Sequence, residues 1–97
     1  MKMFLVVYAD YFDERITREL KQAGYKSYMK LHDATGENES SEARLGTFRA
    51  PGRNKSLFMA VPDEEIPRLI DIVRRLKEEN PAGGFRAVTW MLEECNL

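Results

Sequence analysis

Cysteine is almost absent from this chain: its one thiol, Cys95, lies near the end of 97 residues. A lone cysteine excludes an internal disulfide framework and a cysteine-rich zinc site, and it suits a reducing compartment. Histidine is as scarce, with His32 alone. Long apolar runs are missing too. The opening MKMFLVVYA, residues 1–9, is too short to span a membrane. It also lacks the basic n-region, long apolar h-region and small-residue cleavage site of a secretory signal. These absences predict a cytoplasmic protein with no direct membrane insertion. Nor is there an excess of either charge: fifteen basic and sixteen acidic residues leave a net charge of −1. A nucleic-acid binder should show a basic excess, so no nucleic acid is expected as a partner.

What is present is strong patterning around one polar stretch. The length fits a single domain, residues 1–97. A domain this small buries a modest fraction of its surface, and association with copies of itself would supply the missing burial. Residues 3–9, MFLVVYA, form an apolar run rich in β-branched and aromatic side chains, which reads as a strand covered on both faces. Residues 10–21 follow as a helix with Phe12, Ile16, Leu20 and Ala23 on one stripe. Asp10 can cap its start, Asp13 and Glu14 suit its dipole, and Gly24 ends it. Residues 25–31 alternate, with Lys26, Tyr28 and Lys30 on a wetter face. SLFMAV, residues 56–61, is another buried-type strand. Pro62-Asp63 then opens a second helix with an apolar face of Ile66, Leu69, Ile70, Val73 and Leu76. Asn80-Pro81 and Gly83-Gly84 stop that helix, and residues 85–92 make a last strand.

The order β-α-β, polar segment, β-α-β closes with right-handed crossovers into one sheet. The fold class is therefore α+β: a ferredoxin-like sandwich with a four-stranded antiparallel sheet and both helices on one face. Strand residues Tyr8, Phe58 and Trp90 are expected in the core or between subunits.

The polar segment is the puzzle. Ordering about twenty residues costs about 20–40 kcal/mol of backbone entropy, and Leu45, Phe48 and few other apolar groups cannot offset it. The sequence predicts a segment that is mobile when free and that folds onto a partner. Arg44, Phe48, Arg49 and Arg53 are its candidate partner-binding residues, with Glu37, Glu39 and Glu42 of opposite charge among them. The alternative is a solvated insertion without a role, although long loops in compact domains are usually functional or linkers.

Three constellations could carry chemistry. In NPAGGFR, residues 80–86, two consecutive glycines let backbone N–H groups converge on an anion, and Arg86 could grip a phosphate with two hydrogen bonds. The same residues could equally do no more than end a helix. His32, Asp33, Glu93, Glu94 and Cys95 are the candidate metal donors, but no HxxxH or CxxC spacing draws three or four together. His32, Glu93 and Cys95 are the weak alternative set. Ser40, Ser41 and His32 lie close in sequence, yet a flexible loop does not hold a nucleophile in place. No enzyme activity is expected.

The two halves, the long connection, the strand-end Val61-Pro62-Asp63 and the Gly-rich turn after the second helix resemble the nitrogen-regulatory P-II superfamily, which includes the metal-tolerance CutA proteins. The tail MLEECNL looks like small P-II-like proteins of metal efflux operons. The resemblance implies a homotrimer with an adenine nucleotide (ATP, ADP or AMP) in clefts between subunits. It implies a T-loop at about residues 36–55 that docks onto a target transporter or enzyme. The implied nucleotide contacts are Thr35 and Gly36 of one subunit and Gly83, Gly84, Phe85 and Arg86 of its neighbour, with Arg86 where the family usually has a phosphate-binding lysine. The sequence departs from the family in three places. Glu39 stands where a 2-oxoglutarate site has glutamine, the loop holds no tyrosine to be uridylylated, and the chain stops at Leu97, short of the family's basic C-terminal segment. These departures point away from nitrogen sensing and toward another ligand or target. A CutA-like metal-binding protein and a trimeric interaction module without a small ligand are the alternatives.

Overall fold

The computed structural model describes residues 1–34, 36–38, 41–44 and 53–94, with side chains for 1–32 and 53–94. The apolar run forms β1 (Lys2–Ala9). A 3-10 turn over Asp10–Phe12 separates it from α1 (Asp13–Gln22). The helix thus starts three residues later than its stripe suggests. Asp10 does not cap it, because Phe12 occupies the N-cap position and no side chain caps either start. Asp10 instead gives its backbone N–H to the Arg53 carbonyl at 2.9 Å. At the other end Gly24, with φ +99°, closes a Schellman motif in which its N–H bonds Lys21 O and the Tyr25 N–H bonds Leu20 O.

The second strand, β2, covers Met29–Ala34 rather than 25–31. Inside the polar segment, β3 (Gly36–Asn38) pairs antiparallel with β4 (Ser41–Arg44) as a small separate ribbon. The rest of that segment lies outside the described residues. Next come β5 (Asn54–Val61), α2 (Ile66–Glu79) and β6 (Arg86–Met91). Pro67 lies in the first turn of α2, where its missing N–H costs nothing. The helix buries Leu69, Ile72, Val73 and Leu76, while Ile66 and Ile70 are only half-buried. No helix among the described residues is long and apolar enough to cross a membrane.

The main sheet runs β2-β5-β1-β6, and every neighbouring pair is antiparallel. That is the ferredoxin-like order read from the sequence. The register assigns the faces. Phe4, Val6 and Tyr8 lie opposite Met59, Leu57 and Lys55 on the side covered by the helices. The core is these apolar residues with Val61, Ile16, Leu20, the buried positions of α2 and Phe85. Alternate residues face away. Met29, Phe58, Leu5 and Val88 form one row across all four strands of that open face, and Ala60, Met3 and Trp90 form the next.

Candidate functional site

One end of the sheet collects what the sequence singles out. Ala9 ends β1 opposite Asn54, which starts β5, and Ala34 ends β2 beside Asn54. The polar segment therefore leaves and rejoins the sheet at this end. On the other side of β1, Arg86 opens β6 opposite Val7. The Gly-rich turn that delivers Arg86 is thus at the same end.

That turn is tight for a physical reason. Pro81–Gly83 form a 3-10 turn, and Gly84 follows in the left-handed region at φ +67°, ψ +23°. A right-handed residue followed by a left-handed one turns successive N–H groups toward a common point. The Gly83 N–H is already taken by the Asn80 carbonyl at 2.9 Å. The N–H groups of Gly84 and Phe85 are left as the candidates for an anion. Gly83 has a second role. A Cβ there would stand 2.5 Å from Cε2 of Phe85 and 3.1 Å from Cε2 of Phe12. Only hydrogen fits, because Phe85 is 1% exposed and seals the core beneath the turn. The Phe85 side chain therefore belongs to the core, and its backbone is what it can offer a ligand. Arg86 is exposed, and it lines a groove of about 440 Å³ between β6 and α2. Arg74 and Lys77 add two further cations, while Ile70, Ala87 and Val88 add apolar wall. Arg74 shares its charge with Asp71 at 3.1 Å.

Beside the turn stands a polar junction that sequence reasoning misses. Tyr8 is fully buried on the covered face, and its hydroxyl donates to Asp13 Oδ1 at 2.6 Å. Lys30 lies 3.0 Å from the same oxygen and donates to Thr17 Oγ1 at 2.7 Å. Lys55 reaches Asp13 Oδ2 at 3.5 Å. One carboxylate at the start of α1 thus meets β1, β2 and β5. Burial opposes its ionisation and is the largest single influence on it. The hydrogen bonds from Tyr8 and Lys30 and the charges of Lys30 and Lys55 together outweigh burial and hold the carboxyl below its ordinary range. Burial, then the hydrogen bond to Asp13 and its charge, push the Tyr8 phenol up, so it stays a donor. From the sequence Asp13 is a dipole partner only. The signal that could have found the junction is a tyrosine at the end of a buried run, whose hydroxyl needs a partner. The wetter face of the second strand carries the same hint: Lys30 points to α1, not to solvent.

The remaining candidates are scattered. His32 and Glu93 are exposed, and among the described residues no three His, Cys, Asp or Glu groups gather where a metal could sit. Gly36 is placed as the first residue of β3 and Arg44 as the last of β4. Arg53 is exposed at the exit of the polar segment. Thr35, Phe48, Arg49 and Cys95 lie outside the described residues, as does the side chain of Arg44.

No protein-family model matches the sequence, and neither does any curated protein. Solved structures do. The structure of CPII bound to ADP and bicarbonate, from Thiomonas intermedia K12, superposes with a TM-score of 0.73 at 19% identity, over 92% of this chain and 82% of that one. The apo form of CPII, described as a nitrogen regulatory PII-like protein, gives 0.66 at 19% identity over 92% and 87%. A protein of Thermus thermophilus described as a PII-like signalling protein gives 0.59 at 26% identity over 92% and 83%. The fold is P-II-like. In this P-II-like chain the turn, the Asp13 junction and both ends of the long segment share one edge of the scaffold, although the CPII structures agree with it at only about one position in five.

Proposed function

We propose that the chain is a P-II-like regulatory protein of the cytoplasm, without catalysis of its own, that works as a homotrimer. A small anionic ligand, an adenine nucleotide such as ADP, AMP or ATP, binds at clefts between subunits. The Gly84–Arg86 backbone and the Arg86 guanidinium of one subunit meet Thr35 and Gly36 of another. The observation that carries this reading is the turn: a left-handed Gly84 behind a wedged Gly83, opening beside Arg86 at the sheet end where the polar segment begins and ends. Two solved structures add support, because CPII was captured with ADP and bicarbonate and with ADP, AMP and acetate. The long segment, with Arg44, Phe48, Arg49 and Arg53, docks onto a target transporter or enzyme, and ligand occupancy biases that docking.

The open sheet face is the argument for assembly. Met29 is 64% exposed, Leu31 56%, Val88 52% and Trp90 47%. A groove of about 700 Å³ on that face is walled by Met3, Met29, Phe58 and Leu92. Contiguous apolar surface of this kind marks an association site, and three copies would cover it.

Isothermal titration with ADP, AMP and ATP, with sedimentation velocity on the same samples, tests the reading. The expected result is a trimer that binds at least one nucleotide and loses about tenfold or more in affinity as Arg86→Ala, since removing a charge-assisted pair costs about 1.5–3 kcal/mol. A monodisperse monomer, or a trimer indifferent to all three nucleotides, would overturn it.

A further inference from the structure

The Asp13 junction has more geometry than a salt bridge needs. A helix start is served by any nearby acid, yet this carboxylate accepts from the buried Tyr8 hydroxyl and pairs with two lysines on two different strands. Those strands are the ones that matter for the polar segment. Lys30 lies in β2, which leads into it, and Lys55 is the second residue of β5, which leads out of it. The Asp10 N–H adds a third tie, to the Arg53 carbonyl at 2.9 Å.

The junction is also braced against the turn. The Phe12 ring, one residue before Asp13, stands 5.4 Å from the Phe85 ring, and the Tyr8 ring stands 6.1 Å from it. Phe85 in turn fills the space that a Cβ on Gly83 would need. From the turn to the two strands that flank the polar segment the chain of contact is therefore unbroken: Gly83, Phe85, Phe12 and Tyr8, Asp13, then Lys30 in β2 and Lys55 in β5. Close-packed interiors pass displacements on instead of absorbing them. Two ammonium groups on one carboxylate leave the junction with surplus positive charge, so the longer Lys55 arm at 3.5 Å is the one most easily drawn away.

We propose that Asp13 is a positioning residue: through Lys30, near the start of β2, and Lys55, near the start of β5, it fixes the two strands that flank the polar segment relative to the Pro81–Arg86 turn, so that a change at the turn is felt in both strands. The proposal rests on the reading of that turn as the ligand site, and its test is built so that the two can fail separately.

The experiment follows the backbone amide resonances of Arg86, Asp10, Lys30 and Lys55 in the full chain, in wild type, Asp13→Asn and Asp13→Glu. ADP is expected to move all four in wild type. In Asp13→Asn the Arg86 shift remains, with affinity within about threefold of wild type, while the shifts at Lys30 and Lys55 are lost. Asp13→Glu, which keeps the charge, restores them, whereas loss of a merely structural contact would leave the ligand-linked shifts in place. The proposal is overturned if Lys30 and Lys55 still respond to ADP in Asp13→Asn, or if the Arg86 response vanishes there with the fold intact. If ADP moves nothing even in wild type, the ligand reading fails, and a ligand-free arm decides the inference. Gly83→Ala forces the Phe85 ring aside, and Phe85→Leu removes part of it should the first variant not fold. Either should shift Lys30 and Lys55 in the wild-type background and not in Asp13→Asn. Equal shifts in both backgrounds, or none in either, overturn it.

Discussion

The two faces of the sheet are built from similar residues and meet opposite fates. On the helix side, Phe4, Val6, Leu57 and Met59 are buried to 4% exposure or less. On the other side, Met29, Leu31, Val88 and Trp90 stand at 47% or more. Strand composition alone does not separate them, because an apolar run reads as covered on both sides whichever element does the covering. What separates them is supply: two amphipathic helices are enough for one face of a four-stranded sheet. Among the described residues no element covers the second face.

Deleting a covered side chain should give the largest effect. Phe4 is 0% exposed in the centre of the core, so Phe4→Ala should cost about 3–5 kcal/mol, read as a lower urea midpoint at unchanged slope. The matching change on the open face, Met29→Ala, should cost under about 0.5 kcal/mol in dilute solution, where copies do not meet. Comparable losses from the two would break the comparison, since they would mean that something in the single chain already covers Met29.

The junction at the sheet end sharpens the contrast, because it places charge on the covered side. Asp13→Ala strands Lys30 and Lys55, each less than a quarter exposed, without their carboxylate, and should cost about 3 kcal/mol. Its pH signature has a definite sign. The Asp13 carboxyl is held below its ordinary value in the fold, so its contribution is fully present above about pH 3.8 and is lost as pH falls through the lower folded value. Acid titration of stability should therefore fall more steeply below about pH 3.8 in wild type than in Asp13→Asn. Parallel curves would show that the carboxylate contributes nothing beyond a neutral amide.

How much of this is legible in the residues follows from range. The elements come from local signals: the stripe of Phe12, Ile16, Leu20 and Ala23, the Gly24 stop, and the Pro62-Asp63 and Asn80-Pro81 breaks all stand where the structure uses them. Strand order follows, because few topologies satisfy β-α-β twice. The second strand is displaced, since Tyr25 to Tyr28 alternate like a strand but serve as the helix exit, with the Tyr25 hydroxyl bonded to Glu65 at 2.5 Å. The Gly-Gly turn is visible as a turn. Its two glycines have different reasons, one a positive φ and one a wedged aromatic ring, and only the fold distinguishes them. The Asp13 junction spans β1, β2, β5 and α1, and no spacing rule joins residues that far apart.

The smallest effect on the isolated chain is the most telling about the open face. Val88 is 52% exposed on the edge strand β6. Val88→Glu should leave the stability of a dilute monomer within about 0.5 kcal/mol, because the new carboxylate meets water. Assembly changes the outcome. A state that exists only as an oligomer gains stability with concentration by mass action, so the wild-type thermal midpoint should rise as protein is added. A charge at the end of this apolar row would be buried without a partner on association, so the midpoint of Val88→Glu should stay level over the same range. If wild type and variant rise together, the copies meet elsewhere and the exposed row has another use. If only wild type rises, the difference between the two faces is the difference between a core closed by helices and one closed by neighbouring chains.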